Sequence, residues 1–145
     1  MKNKNCNKVS IITDNKFIPI DIQIFKGNLN DSNILQQQFI NIDSFINNTK
    51  YFICDKGYCS SKIRNLLITK NIFPIIPFNR RNTKDINKIN KLTKNEKNRY
   101  RKRIKIEHIF SDLKSNHKLE NRYEKYINNY EGLLYLYFIK RIYKY

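Results

Sequence analysis

Ile18, Ile20, Ile22 and Ile24 alternate with Pro19, Asp21, Gln23 and Phe25. Apolar spacing of period two predicts a half-buried strand. Val9 to Thr13 is a second β-rich run, and Asp14-Asn15-Lys16 between the two is a turn signal. Together they predict an antiparallel hairpin with a short loop. Lys26-Gly27-Asn28 closes it, and residues 1–8, polar and basic, are expected to be frayed.

Beyond the hairpin the spacing changes. Asp31 or Ser32 is placed to cap a helix whose apolar face is Ile34, Leu35 and Phe39. Tyr51 to Cys54 is a brief apolar run ending at Asp55, and Gly57 allows a sharp turn after it. Ser60 or Ser61 caps a second helix, with Ile63, Leu66 and Leu67 at i, i+3 and i+4. Ile72 to Phe78 reads as a strand, and Pro74 and Pro77 place it at a sheet edge. A long helix is predicted over roughly residues 94–117 and a final one over about 127–145. This order of strands and helices is that of an α/β domain, and no linker interrupts it, so one domain over 1–145 is expected.

Composition narrows the class. The chain has 145 residues, enough for one core, and its 10 Tyr and 9 Phe exclude a disordered tail. No apolar run is long enough to cross a membrane. The opening residues carry no apolar signal segment, and three cysteines form no disulfide framework. An intracellular protein is expected, not a secreted one. The formal net charge is +17. Ile, Lys and Asn supply 67 residues, an AT-rich codon bias that inflates Lys everywhere. Position therefore carries more information than the total. Residues 79–105 hold 12 Lys or Arg against Asp85 and Glu96, and residues 79–99 read as an exposed basic loop leading into the long helix.

That helix carries the most specific pattern. Tyr100, Arg103, Glu107 and Lys114 stand at i, i+3, i+7 and i+14, within about 60° of one another at 100° per residue. Ile106, Ile109 and Leu113 lie roughly opposite and can pack on a sheet. A carboxylate flanked by cations can hold a hard divalent ion while the cations hold phosphates. A Lys-rich helix also places a Glu near basic residues by chance, as a solvated ion-pair face. Asp55 is the second candidate, because α/β folds place sites at the carboxyl ends of strands; the plain alternative is a turn Asp. Asp31 reads as a helix cap, Asp14 as a turn residue and Asp21 as a polar strand residue. Cys6, Cys54, Cys59, His108 and His117 show no zinc spacing, and no phosphate-binding glycine loop is present.

In combination these parts resemble a known family. Tyr100, Arg103, Glu107 and Lys114 resemble the signature helix of DDE transposases of the insertion sequence 4 and 5 groups. Cys54-Asp55-Lys56-Gly57-Tyr58 resembles their second acidic motif. Lys8 to Asp14 with Pro19 resembles their hairpin, and Gly27-Asn28-x-x-Asp31-Ser32 their Gly-Asn-x-His-Asp segment, with Asn30 where His is usual. Pro74 to Pro77 with Arg80-Arg81, and Arg122-Tyr123-Glu124, fit the same pattern. The resemblance spans about residues 8–140.

It implies an RNase H-like mixed sheet flanked by helices, and DNA cleavage and joining by metal-dependent phosphoryl transfer. Asp55 and Glu107 would be the second and third catalytic, metal-holding acids, with two Mg²⁺ or Mn²⁺ ions. Tyr100, Arg103, Lys114, Arg80, Arg81, Arg101, Lys102 and Lys105 would contact DNA. The family's first Asp lies on a strand before the hairpin, so the chain is expected to be the C-terminal part of the catalytic domain, truncated or split and weakly active alone. A homodimer or a complementing N-terminal chain would then complete it; the alternative is a non-catalytic DNA-binding remnant. That first strand normally sits between the hairpin and the strand ending at Asp55, so a seam is expected there.

Overall fold

A computed structural model describes residues 7–79, 91–116, 119 and 123–143. The chain is mixed α/β and folds as two compact units. One takes Met1–Asn28 and Lys105–Tyr145, the other Leu29–Ile104.

The first unit opens with the predicted hairpin, β1 (Asn7–Thr13) and β2 (Pro19–Lys26). The strands are antiparallel, with Val9 opposite Ile24 and Ile11 opposite Ile22, and the register shifts between Ile12 and Thr13. Asp14 builds the turn: its Oδ1 accepts from the backbone N–H groups of Lys16 at 2.9 Å and Ile18 at 2.8 Å. Those bonds replace ladder partners that the loop cannot offer. They hold Phe17 at φ 67°, a conformation that a bulky residue rarely adopts.

Two helices pack on the hairpin. The first, here α4 (Ile104–Ser115), buries Ile109 and Leu113; the second, α5 (Ile127–Ile142), buries Tyr130, Leu134 and Phe138 at i, i+4 and i+8. These five join Ile22 and Leu119 in one cluster, with Val9, Ile11, Ile24 and Ile106 packed against it. The predicted apolar side of the long helix therefore does pack on a sheet. The Tyr130 hydroxyl donates to the Leu119 carbonyl at 2.8 Å, which satisfies a buried polar pair. Arg141 pairs with Asp112 and links α5 to α4. The alternation of β2 predicts one wet face, but Ser10, Ile12 and Phe25, on the other face of the ladder, are buried too.

The second unit begins with α1 (Asp31–Asn41). Its cap is Asn30, whose side chain accepts from the Ser32 N–H, and not Asp31 or Ser32. Ile34, Leu35 and Phe39 are buried as predicted, and a 3₁₀ turn follows at Asp43–Phe45. Strand β3 (Tyr51–Ile53) leads through α2 (Ser61–Thr69) to β4 (Phe73–Ile75). The strands are parallel, with Tyr51 opposite Phe73 and Ile53 opposite Ile75, so this is a βαβ unit. Ser60 caps α2 through its Oγ. Asn71, at φ 57°, ends it in the left-handed conformation that Asn tolerates. The strand is shorter than the predicted run 72–78: among the described residues β4 has a neighbour on one side only, as Pro74 requires. Arg64 crosses from α2 to donate to the Ile76 carbonyl at 2.5 Å, with its guanidinium 4.5 Å from the Phe78 ring centre.

The predicted long helix runs from Lys94 to Ser115 with a 3₁₀ turn inside it. Its first part, α3 (Lys94–Tyr100), starts at Thr93 in a capping box: Thr93 Oγ1 accepts from the Glu96 N–H and Glu96 Oε2 from the Thr93 N–H. A 3₁₀ turn, Arg101–Arg103, then precedes α4. The described strands form two separate two-stranded sheets, not one mixed sheet.

Candidate active site

The backbone of β3 places Asp55. The ladder runs one residue past the strand, since Cys54 N–H donates to the Ile75 carbonyl at 3.2 Å. Asp55 then caps the 3₁₀ turn Lys56–Tyr58, and its carbonyl accepts from Tyr58 N–H at 3.0 Å. Its side chain thus leaves the carboxyl end of a parallel strand, and 47% of it stays exposed.

Two side chains from the helical segment meet this carboxylate. The Tyr100 hydroxyl donates to Asp55 Oδ1 at 3.1 Å, and Arg103 Nη1 stands 3.6 Å from the same oxygen. Arg103 also lies over the Tyr100 ring, its Cζ 5.2 Å from the centre. The 3₁₀ turn explains the pairing. At three residues per turn, positions i and i+3 eclipse, so Tyr100 and Arg103 stack along one line.

The turn after Asp55 has a glycine at 57 with a close neighbour. A Cβ there would sit 3.1 Å from Asp31 Oδ2, so α1 brings its first carboxylate against this turn. The sequence favours a capping role for Asp31 and leaves it, with Asp14 and Asp21, as a possible further ligand. A second cluster was missed: the Arg99 guanidinium lies 4.1 Å from the centre of the exposed Tyr51 ring, which meets Phe73 edge-on.

Cys54, beside Asp55, is buried. Burial pushes its thiol well above the usual cysteine range; Arg64 opposes this and Asp55 adds to it. It is a packing residue and no nucleophile.

The structure thus brings Tyr100 and Arg103 onto Asp55 within one unit. Glu107, in the first turn of α4, and Lys114, in its last, are exposed residues of the other unit. Lys105 belongs to that unit too, with Nζ 4.8 Å from the Phe17 ring centre. Arg101 and Lys102 are exposed on the 3₁₀ turn. Arg80, Arg81, Arg122, Cys6 and His117 lie outside the described residues.

The model of the transposase DDE domain family matches residues 2–139. The chain belongs to that family. Neither the curated proteins nor the solved structures give a match. Membership of the transposase family implies transposition, a form of DNA recombination, with DNA as substrate and a general dependence on divalent metal. Among the described residues no helix is long and apolar enough to cross a membrane.

The donor chemistry fits a hard divalent cation at Asp55: a half-exposed carboxylate that already holds a guanidinium. Among the described residues, however, no three His, Cys, Asp or Glu side chains gather into one metal-holding group.

Proposed function

We propose that this transposase domain takes part in DDE-type phosphoryl transfer on DNA, with Asp55 and Glu107 as catalytic carboxylates. The hairpin and the β3–α2–β4 unit are read as parts of an RNase H-like fold of the insertion sequence 4 and 5 type. The observation that carries the reading is the meeting of Tyr100 and Arg103 with Asp55, because it joins two separate motifs at one carboxylate. Magnesium or manganese held by these acids would activate the attacking oxygen and stabilise the leaving one. Arg101, Lys102, Lys105 and Lys114, with Arg80 and Arg81, supply cations for the DNA backbone.

Two carboxylates do not make a two-metal site, so a further acid is required. We propose that a second copy or a complementing chain supplies it, and that the chain alone is weakly active. The test is nicking of supercoiled DNA in Mg²⁺ and Mn²⁺ by the chain, Asp55→Ala and Glu107→Ala. Nicking lost in both variants supports the reading, and nicking that survives both overturns it. If the chain nicks nothing, Fe²⁺ with ascorbate gives the answer: oxidative scission of the chain next to Asp55, suppressed by Mg²⁺ and absent in Asp55→Ala, is the expected result.

A second reading, DNA binding without catalysis, is favoured by the lack of a three-ligand group among the described residues. It predicts salt-sensitive DNA binding by a chain that shows neither nicking nor metal-directed scission.

A further inference from the structure

The contacts of Asp55 carry a consequence for how cation and DNA binding are linked. The inference rests on the reading above, in which Asp55 is a metal-holding acid. Arg103 Nη1 stands 3.6 Å from Asp55 Oδ1, and the Tyr100 hydroxyl donates to the same atom. These two contacts differ in kind. Tyr100 is a neutral donor and is compatible with a cation on the carboxylate, as hydrogen-bonded metal ligands commonly are. Arg103 is itself a cation. It occupies the place where a divalent ion would gain its Coulomb energy, and the two repel at such distances.

A third of the Arg103 side chain is exposed, and Arg101 and Lys102 are exposed residues of the same 3₁₀ turn. A guanidinium in that setting has an obvious second partner, since its planar fork binds phosphate oxygens in pairs. Arg103 also stacks on Tyr100, its Cζ 5.2 Å from the ring centre.

We propose that Arg103 is a placeholder cation. It neutralises Asp55 when no divalent ion is bound, and it passes to a DNA phosphate when one is. Cation and DNA then favour each other's binding, because each relieves the charge conflict that the other would meet. By linkage the effect is reciprocal: the factor by which DNA tightens cation binding is the factor by which the cation tightens DNA binding. Arg103 acts here as a positioning residue, through Asp55. Arg103→Gln should therefore strengthen cation binding to the DNA-free chain, where a supporting residue would weaken it on removal.

The experiment measures Mn²⁺ binding to the full chain without DNA, by the loss of the free-ion paramagnetic resonance signal. Wild type is compared with Arg103→Gln, Arg103→Lys, Tyr100→Phe and Asp55→Asn, each checked for native helix content by circular dichroism. Arg103→Gln is expected to bind Mn²⁺ about two- to fivefold more tightly, the size of effect of a half-exposed ion pair. Arg103→Lys keeps the charge and should stay near wild type. Tyr100→Phe should not tighten binding. A short duplex DNA should then raise Mn²⁺ affinity by a larger factor in wild type than in Arg103→Gln. If Arg103→Gln binds Mn²⁺ no more tightly than wild type while Asp55→Asn still weakens it, the placeholder role is overturned and the assignment of Asp55 stands. If Asp55→Asn leaves Mn²⁺ binding unchanged, the assignment of Asp55 falls, and this inference with it.

Discussion

Ile109→Ala tests whether the α4 face that bears Glu107 is fixed by burial. Ile109 is fully buried between the hairpin and α5, two residues from Glu107. The substitution removes three carbons beyond Cβ, about 2.4 kcal/mol at roughly 0.8 kcal/mol for each. Its neighbours come from several elements, including Ile22, Leu134 and Phe138. The site can therefore collapse only in part, and a cavity term adds to the loss. Substitutions of this kind cost about 2–5 kcal/mol, and about 3–4 is expected here. A domain of this size has roughly 7–15 kcal/mol in total, so the loss is large. Urea titration followed by circular dichroism and tyrosine emission should show the midpoint falling by at least about 1 M with an unchanged slope. Ile104→Ala is the control, since Ile104 opens the same helix at 56% exposure. It should cost no more than about 0.5 kcal/mol. A loss at Ile109 below about 1 kcal/mol, or equal to that of Ile104, would refute the packing of α4 on the hairpin.

Further outcomes follow from the same structure. Tyr130→Phe should cost about 1–3 kcal/mol by chemical denaturation, because it leaves the buried Leu119 carbonyl without its donor. The Cys54 thiol should resist alkylation in the folded chain in EDTA and react once the chain is unfolded. Its folded pKa lies above the ordinary value of 9.0, so it contributes stability that is complete below about pH 9 and lost as pH rises above it. Cys54→Ala should remove that alkaline decline in the urea midpoint. DNA affinity should fall steeply with salt, and Arg101→Ala and Lys102→Ala should each lower the log–log salt slope by about 1 in a fluorescence titration.

Much of the scaffold was legible because local patterns were not overridden. Alternating isoleucines, the Asp14 turn and Ser60 as a cap all specify their structures through short-range bonds. The βαβ unit followed from the apolar run ending at Asp55 and the i, i+3, i+4 face after it. Three features were not legible. The 3₁₀ turn at Arg101–Arg103 lies in a stretch of good helix formers, so propensity gives no hint of the tighter turn. The burial of Ser10, Ile12 and Phe25 depends on tertiary cover that a strand's own period does not report. The approach of Asp31 to Gly57 joins residues 26 apart in sequence. The family resemblance was readable because its motifs occur in order. Which side chains touch was not, since motif spacing says nothing about the partner that Arg103 selects.

The division of the chain has a consequence for its synthesis. The hairpin leaves the ribosome before the helices that cover Ile11, Ile22 and Ile24, which come after the 76 residues of Leu29–Ile104. At 5–20 residues per second, that apolar face waits roughly 4–15 s for its partners. The inserted unit is contiguous and can fold during the wait. If it stays unfolded, closing a loop of 76 residues costs the outer unit on the order of 4 kcal/mol in chain entropy. Connectivity thus favours an order in which the inserted unit folds before the outer unit completes its core.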